Sequence, residues 1–190
     1  MENFENVENN NLPKVKYEHY SREPICITDD EFAGSEFIRC GLEGCTFSEL
    51  NLSTSIFQDS NMEKCEFARL SLSSVIFEQS NMECTAFSAV DLNCSTFDNV
   101  YMDHSTITNA SFANVVLEYV NFESANISQV NMSNTSMDDV HLTGSTFDKC
   151  NVDNVKFKDC DFSNTIIESS NIDGLVINGV NIAELLANLT

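Results

Sequence analysis

Tryptophan is absent from the 190 residues, proline occurs twice and glycine six times. So little glycine and proline excludes a collagen-like chain or a flexible linker protein, and no glycine-rich loop is present to cradle a phosphate. Basic residues are also scarce: 9 Lys plus Arg stand against 30 Asp plus Glu, for a net charge of −21. Such a surface repels nucleic acid and anionic lipid and attracts cationic partners. No apolar run approaches the length of a membrane span. The opening residues MENFENVENNNLPK lack the basic start and apolar stretch of a secretory signal. The expectation is a soluble cytoplasmic protein with no direct nucleic-acid or membrane contact.

Eight cysteines are present, but no Cys-x-x-Cys pair, so a zinc or thioredoxin-like site has no signature. No His-x-x-x-His pair occurs either. No cofactor or metal is expected, and the seven Asn-x-Ser/Thr triplets at Asn51, Asn93, Asn109, Asn126, Asn131, Asn134 and Asn188 are read as products of composition.

What the sequence does have is a period of five. From Phe32 every fifth residue is apolar, through Phe37, Leu42, Phe47, Leu52, Phe57 and Met62 to Ile172, Ile177 and Ile182. Two residues before each stands a smaller side chain, as in Cys40, Cys45, Leu50, Ser55, Ser60 and Cys65. On a helix, five residues advance about 500°, so the stripe drifts about 140° per repeat. On a continuous strand an odd step flips the side chain to the other face each time. Each small-then-large pair therefore points inward from a short extended side, and the chain turns a corner before the next pair.

A second period counts the sides. Ser60-Asn61-Met62-Glu63 returns as Ser80-Asn81-Met82-Glu83, and the residue after each apolar centre cycles acid or amide, neutral, neutral, acid or amide. Four five-residue sides make a twenty-residue coil, stacked at about 4.8 Å. About eight coils then form a rod of about 40 Å.

The triads Ser60-Asn61-Met62, Val90-Asp91-Leu92, Val120-Asn121-Phe122, Val130-Asn131-Met132, Cys160-Asp161-Phe162 and Val180-Asn181-Ile182 carry the first three positions of A-(D/N)-L-x-x. On these the chain resembles the pentapeptide-repeat family over residues 25–182. The resemblance implies an all-β fold, a right-handed quadrilateral parallel β-helix. Residues 1–24 are expected as a polar, partly disordered tail, with Tyr17, Tyr20 and Ile25 draped on the first coil. Residues 183–190 are expected as a short helical cap placing Leu185, Leu186 and Leu189 on the last.

The outward columns bear on function. Glu43, Glu63, Glu83, Asp103 and Glu123 should form one acidic ladder, with Glu78, Asp98, Glu118 and Asp138 in a second on the adjoining side. Asp59, Asp139, Asp159 and Asp161 add to the same flank. A third column, Ile56, Ile76, Thr96, Val116, Ser136, Lys156 and Val176, is interrupted but apolar at Ile56, Ile76, Val116 and Val176, which suits a protein contact, self-association into a homodimer included. The Asn or Asp before alternate centres, from Asn51 and Asn61 to Asn171 and Asn181, is expected to bond nearby backbone at the corners.

Cys40, Cys45, Cys65, Cys150 and Cys160 fall on the small inward position, where a thiol acts as a compact hydrophobe. Cys84 and Cys94 fall outward as free thiols. Cys84 shares a column with His104, but a convex rod without an orienting third residue makes a poor active site. No catalytic residue is assigned and no enzyme is expected. The resemblance implies a non-enzymatic interaction protein, since quinolone-resistance relatives mimic DNA and occupy the DNA site of a type II topoisomerase such as DNA gyrase. The alternative is a generic scaffold or regulator of another protein partner, with the acidity serving solubility alone.

Overall fold

The computed structural model describes residues 32–188, together with the backbone of the two short strands Lys16–Tyr17 and Cys26–Thr28. The expectations for the rest of 1–31, and for Leu189 and Thr190, lie outside the described residues. The chain winds as an all-β parallel solenoid of about 7 turns. Two opposite sides of each turn are strands. One sheet stacks Glu36–Ile38, Ile56–Gln58, Ile76–Glu78, Thr96–Asp98, Val116–Glu118, Ser136–Asp138, Lys156–Lys158 and Val176–Ile177. The other runs from Cys26–Thr28 through Thr46–Ser48 to Ile166–Glu168.

Every parallel pair joins residues twenty apart, such as Phe57 with Phe77 and Phe67 with Phe87. That register reaches back to Lys16–Tyr17, which pairs with Glu36–Phe37. The remaining two sides carry single bridges, Asn61 to Asn81 on one and Asn51 to Ser71 on the other. In chain order the sides are thus a first sheet face (Phe57, Phe77), a first turn face (Met62, Met82), a second sheet face (Phe67, Phe87) and a second turn face (Leu72, Leu92). Backbone conformation repeats every ten residues, the inward pattern every five and the surface every twenty.

The turn faces arise from their Asn and Asp residues. Asn61 Oδ1 accepts from the Glu63 backbone N–H at 3.2 Å, Asn81 Oδ1 from Glu83 at 3.0 Å and Asp91 Oδ1 from Asn93 at 3.0 Å. The same bond recurs from Asn51 to Asn171, so the role expected for these side chains holds. It occupies the N–H of the residue entering the corner, where no strand continues to accept it. On the second turn face the amides also bond between coils, Asn151 Nδ2 donating to Asn131 Oδ1 at 3.0 Å.

Every corner among the described residues holds a residue in the left-handed region, from Arg39 (φ 55°) and Thr54 (φ 59°) to Asn164 (φ 58°), and most of these are not glycine. Such a backbone costs about 1–2 kcal/mol per residue with a Cβ. The corner N–H offsets it by donating to the next coil, as Lys64 does to the Glu83 carbonyl at 2.9 Å.

Inside, the large residues form columns. Phe37, Phe57, Phe77 and Phe97 stack with centroids 4.5–5.0 Å apart. Phe47, Phe67 and Phe87 stack likewise at 4.8–4.9 Å, and the two columns meet edge to face. The smaller inward residues carry hydroxyls because coil stacking supplies acceptors. Thr85 donates to the Met62 carbonyl, Ser95 to Leu72 and Thr135 to Phe112, at 2.7–2.8 Å. The Ser105 and Ser145 hydroxyls find no partner among the described residues, a local cost of about 1–3 kcal/mol each. The Cys65 thiol bonds the Leu42 carbonyl at 2.9 Å, and burial pushes it up to about 12. Cys40, Cys45 and Cys150 are buried and Cys160 half-buried, whereas Cys84 and Cys94 are exposed, as their positions predict.

The C-terminal end departs from expectation. Parallel winding stops at Ile177, short of Ile182. Asn178 (φ 46°) and Gly179 (φ 82°) reverse the chain, and Val180–Asn181 pairs antiparallel with Val176–Ile177. Two successive left-handed residues in an Asn-Gly pair make the tight hairpin turn that matches strand twist. Val180-Asn181-Ile182, in register as one more repeat, is instead a return arm. Asn181 then caps a helix, Ile182–Ala187, accepting from the Glu184 N–H at 3.1 Å. Leu185 and Leu186 do not settle on the last coil: both are half-exposed, and the helix buries none of its residues.

Candidate functional site

The two acidic ladders are real columns on adjoining faces. On the first sheet face Glu78, Asp98, Glu118 and Asp138 are direct pairing partners, each one coil from the next. On the first turn face, Glu63, Glu83, Asp103 and Glu123 follow the bridge register of Asn61, Asn81, Tyr101 and Asn121. Between the two faces runs a corner column of Arg39, Asp59, Gln79, Asn99, Tyr119, Asp139 and Asp159, each in the left-handed region. The acids therefore converge on one edge of the rod.

Cations divide that edge into zones. Lys64 Nζ lies against Glu63 and 3.7 Å from Glu43. Lys158 Nζ bonds Asp138 at 2.7 Å and lies 3.5 Å from Asp159. Glu78, Asp98, Glu118, Glu83, Asp103 and Glu123 have no ion pair among the described residues. They occupy the consecutive middle coils, spaced about 4.8 Å apart within each ladder.

Repulsion in the ladder is visible at Asp103. Its Oδ1 is buried without a hydrogen bond among the described residues. Burial pushes its carboxyl above the usual range, Glu123 and Glu83 push it further, and His104 opposes them. A carboxyl that holds its proton more tightly when folded destabilises the fold while ionised, and the penalty fades as pH falls through the raised value toward the ordinary one. Asp103→Asn is expected to raise Tm near pH 7, by the equivalent of less than about 1 kcal/mol because solvent screens a half-exposed group. Near pH 3 the substitution should change nothing. Paired melts at the two pH values check this; an unchanged or lowered Tm at pH 7 refutes it.

The apolar column lies on the first sheet face too, on the same strands as Glu78, Asp98 and Glu118 and two residues before them. Ile76 and Val116 are each 38% exposed, with Thr96 paired between them. Ile56 and Val176 are half-buried, and Ser136 and Lys156 interrupt the column as its sequence implies. Two residues at this edge went unnoticed in the sequence: Tyr101 on the first turn face and Tyr119 at the corner, 54% and 62% exposed. Their signal was an aromatic at an outward or corner position of the repeat.

Cys84 and His104 occupy one corner column on successive coils, both exposed. Among the described residues no group of three His, Cys, Asp or Glu is placed to hold a metal ion. None of their helices is long and apolar enough to cross a membrane.

The family model described as "Pentapeptide repeat region" matches residues 30–107 and 105–186. No curated protein matches the chain in sequence. Among solved structures, a trypsin-treated variant of QnrB1, a plasmid-mediated fluoroquinolone resistance protein, is similar with a TM-score of 0.60 at 15% identity, covering 76% of this chain and 80% of that one. HetL, a pentapeptide repeat protein involved in heterocyst differentiation regulation from the cyanobacterium Nostoc sp., is similar over 85% of this chain and 93% of its own at 11% identity, with a TM-score of 0.23. The QnrB1 likeness shows the fold.

Proposed function

The chain belongs to the pentapeptide-repeat family, and from that premise we propose that it is a non-enzymatic interaction protein of the cytoplasm. Its acidic edge stands in for a DNA duplex in the binding site of a protein such as a type II topoisomerase. The observation that carries this reading is the set of six carboxylates, Glu78, Asp98, Glu118, Glu83, Asp103 and Glu123, in two adjoining columns without cations. Two charges per coil amount to one per about 2.4 Å of axis, against about 1.7 Å for duplex DNA. Keeping like charges stacked costs stability, so a cationic partner that relieves the repulsion gains affinity from it. QnrB1, which shares the fold, is a fluoroquinolone resistance protein. That supports assaying a topoisomerase first.

The test is gyrase supercoiling titrated with the purified protein, alongside a variant with all six carboxylates changed to amides. Inhibition at micromolar protein that weakens at least about tenfold in the variant is expected, as for loss of several charge contacts. No inhibition at that concentration, or inhibition indifferent to the six changes, overturns the topoisomerase reading.

A further inference from the structure

The two sheet faces have one backbone and different surfaces. On the second, the outward column reads Thr46, Glu66, Ala86, Thr106, Asn126 and Thr146, with no exposed large apolar side chain before Ile166. The same position on the first reads Ile56, Ile76, Thr96 and Val116, with Ile76 and Val116 exposed. The fold therefore has no need of isoleucine or valine there, since threonine and alanine serve an identical strand. Apart from Ile166, Val180, Leu185 and Leu186 toward the C-terminus, the exposed large hydrophobics among the described residues are Ile76, Val116, Tyr101 and Tyr119. All four belong to the first sheet face, its corner or the turn face beside it, at the coils whose carboxylates lack cations.

We propose that the first sheet face, from Ile76 to Tyr119, docks a basic amphipathic segment of a partner protein, with apolar side chains and Lys or Arg two residues apart on the one face it presents. Its apolar groups cover Ile76 and Val116. Its cations meet Glu78, Asp98 and Glu118, which stand two residues along the same strands, the spacing at which side chains share a strand face. Tyr119 directly follows Glu118 and offers a ring to an arginine that reaches that carboxylate. Exposed tyrosines beside a small apolar centre are the composition of an interface hot spot.

Charge selects the occupant. A second copy laid on this face brings the same acidic columns, and its own cations there are Arg39 at the corner, Lys156 and Lys158, the last already held by Asp138. A nucleic acid or anionic membrane is repelled by the six carboxylates. The inference rests on reading the edge as an interaction surface, but not on the partner being a topoisomerase.

Two labelled twelve-residue peptides test it by fluorescence anisotropy with the full chain, an Arg-Leu peptide repeating Leu-Ser-Arg-Ser and an Arg-Ser peptide repeating Ser-Ser-Arg-Ser. The Arg-Leu peptide should bind at least about tenfold tighter. The triple variant Ile76→Thr, Val116→Thr, Tyr119→Ser should lose that preference, its affinity for Arg-Ser falling only about two- to fivefold with the lost Tyr119 ring. Threonine already stands at position 96 of the column, so the variant retains a strand-compatible face, and an unchanged melting transition checks that it folds. Equal affinity for both peptides, or a preference that survives the triple variant, overturns the proposal. So does a wild-type dimer in sedimentation that the triple variant dissolves, since a second copy then owns the face. A silent supercoiling assay with the peptide preference intact rejects the topoisomerase and sustains the docking face.

Discussion

Replacing Phe77 with alanine is expected to lower the unfolding free energy by about 3–5 kcal/mol, toward the top of that range. The ring is fully buried. It stacks on Phe57 at 5.0 Å and Phe97 at 4.9 Å, and meets Phe67 and Phe87 edge to face at 6.3 and 6.5 Å. Cost at such a site depends on how far the surroundings can close the hole. Here they can close little, because the parallel bonding of Ile76–Glu78 to both neighbouring strands fixes the coil spacing. The damage is also placed where a one-dimensional stack is most sensitive, since each coil touches only its neighbours. A void in the middle weakens the coupling between halves, so unfolding should broaden as well as shift. Phe162→Ala, at a half-buried position near the end, is the control and should cost much less. Denaturant titration of the two variants measures both, and a loss under about 1 kcal/mol at Phe77 would show that the stack can close.

What was legible in the sequence follows from which interactions have a period. Inward residues recur every five because each side buries one pair, so the core from Phe37 to Phe157 could be placed before any coordinates. The carboxylate columns recur every twenty because the coil closes in four sides. Lys158 stands twenty residues beyond Asp138 and Lys64 directly follows Glu63, so both pairs lay within the register but, occurring once each, formed no column to notice. The left-handed corners were hidden for a different reason. Glycine is the usual mark of that conformation, yet Arg39, Thr54 and Tyr119 adopt it, because bonds to the next coil outweigh a penalty that sequence alone displays. At the C-terminus a signal was present and overridden. Asn178-Gly179 marks a hairpin, but Ile182 kept the five-residue register, and the longer pattern masked the local turn. Tyr101 and Tyr119 escaped because a pattern sought for its inward residues gives no reason to weigh an outward one.

The three nested periods predict a contrast between two deletions. Removing residues 76–95 joins Val75 to Thr96 and takes out one whole coil. Phe57 then stacks on Phe97, strand lies on strand, and Gln58 meets Asp98 in the acidic column. Removing residues 76–80 keeps every inward residue in its five-residue register but turns everything beyond by one side. Asn81-Met82-Glu83, a turn face, then lies against the strand Ile56–Gln58, and the alternation of faces fails on all four sides. On a strand side the residue after the apolar centre bonds the neighbouring coil, whereas on a turn side its N–H is taken by an Asn or Asp side chain, as Glu83 is by Asn81. Losing about one bond per side, at about 1 kcal/mol each, puts the five-residue deletion about 4 kcal/mol below the twenty-residue one, although it is the longer chain. The acidic edge breaks as well, because Glu63 comes to face Ser88 in place of Glu83. Denaturation of the two purified deletions decides the order, and circular dichroism reports whether each keeps its sheet. If the five-residue deletion proves the more stable, the four sides are interchangeable and the ten-residue alternation of sheet and turn faces is not what holds the coils in register.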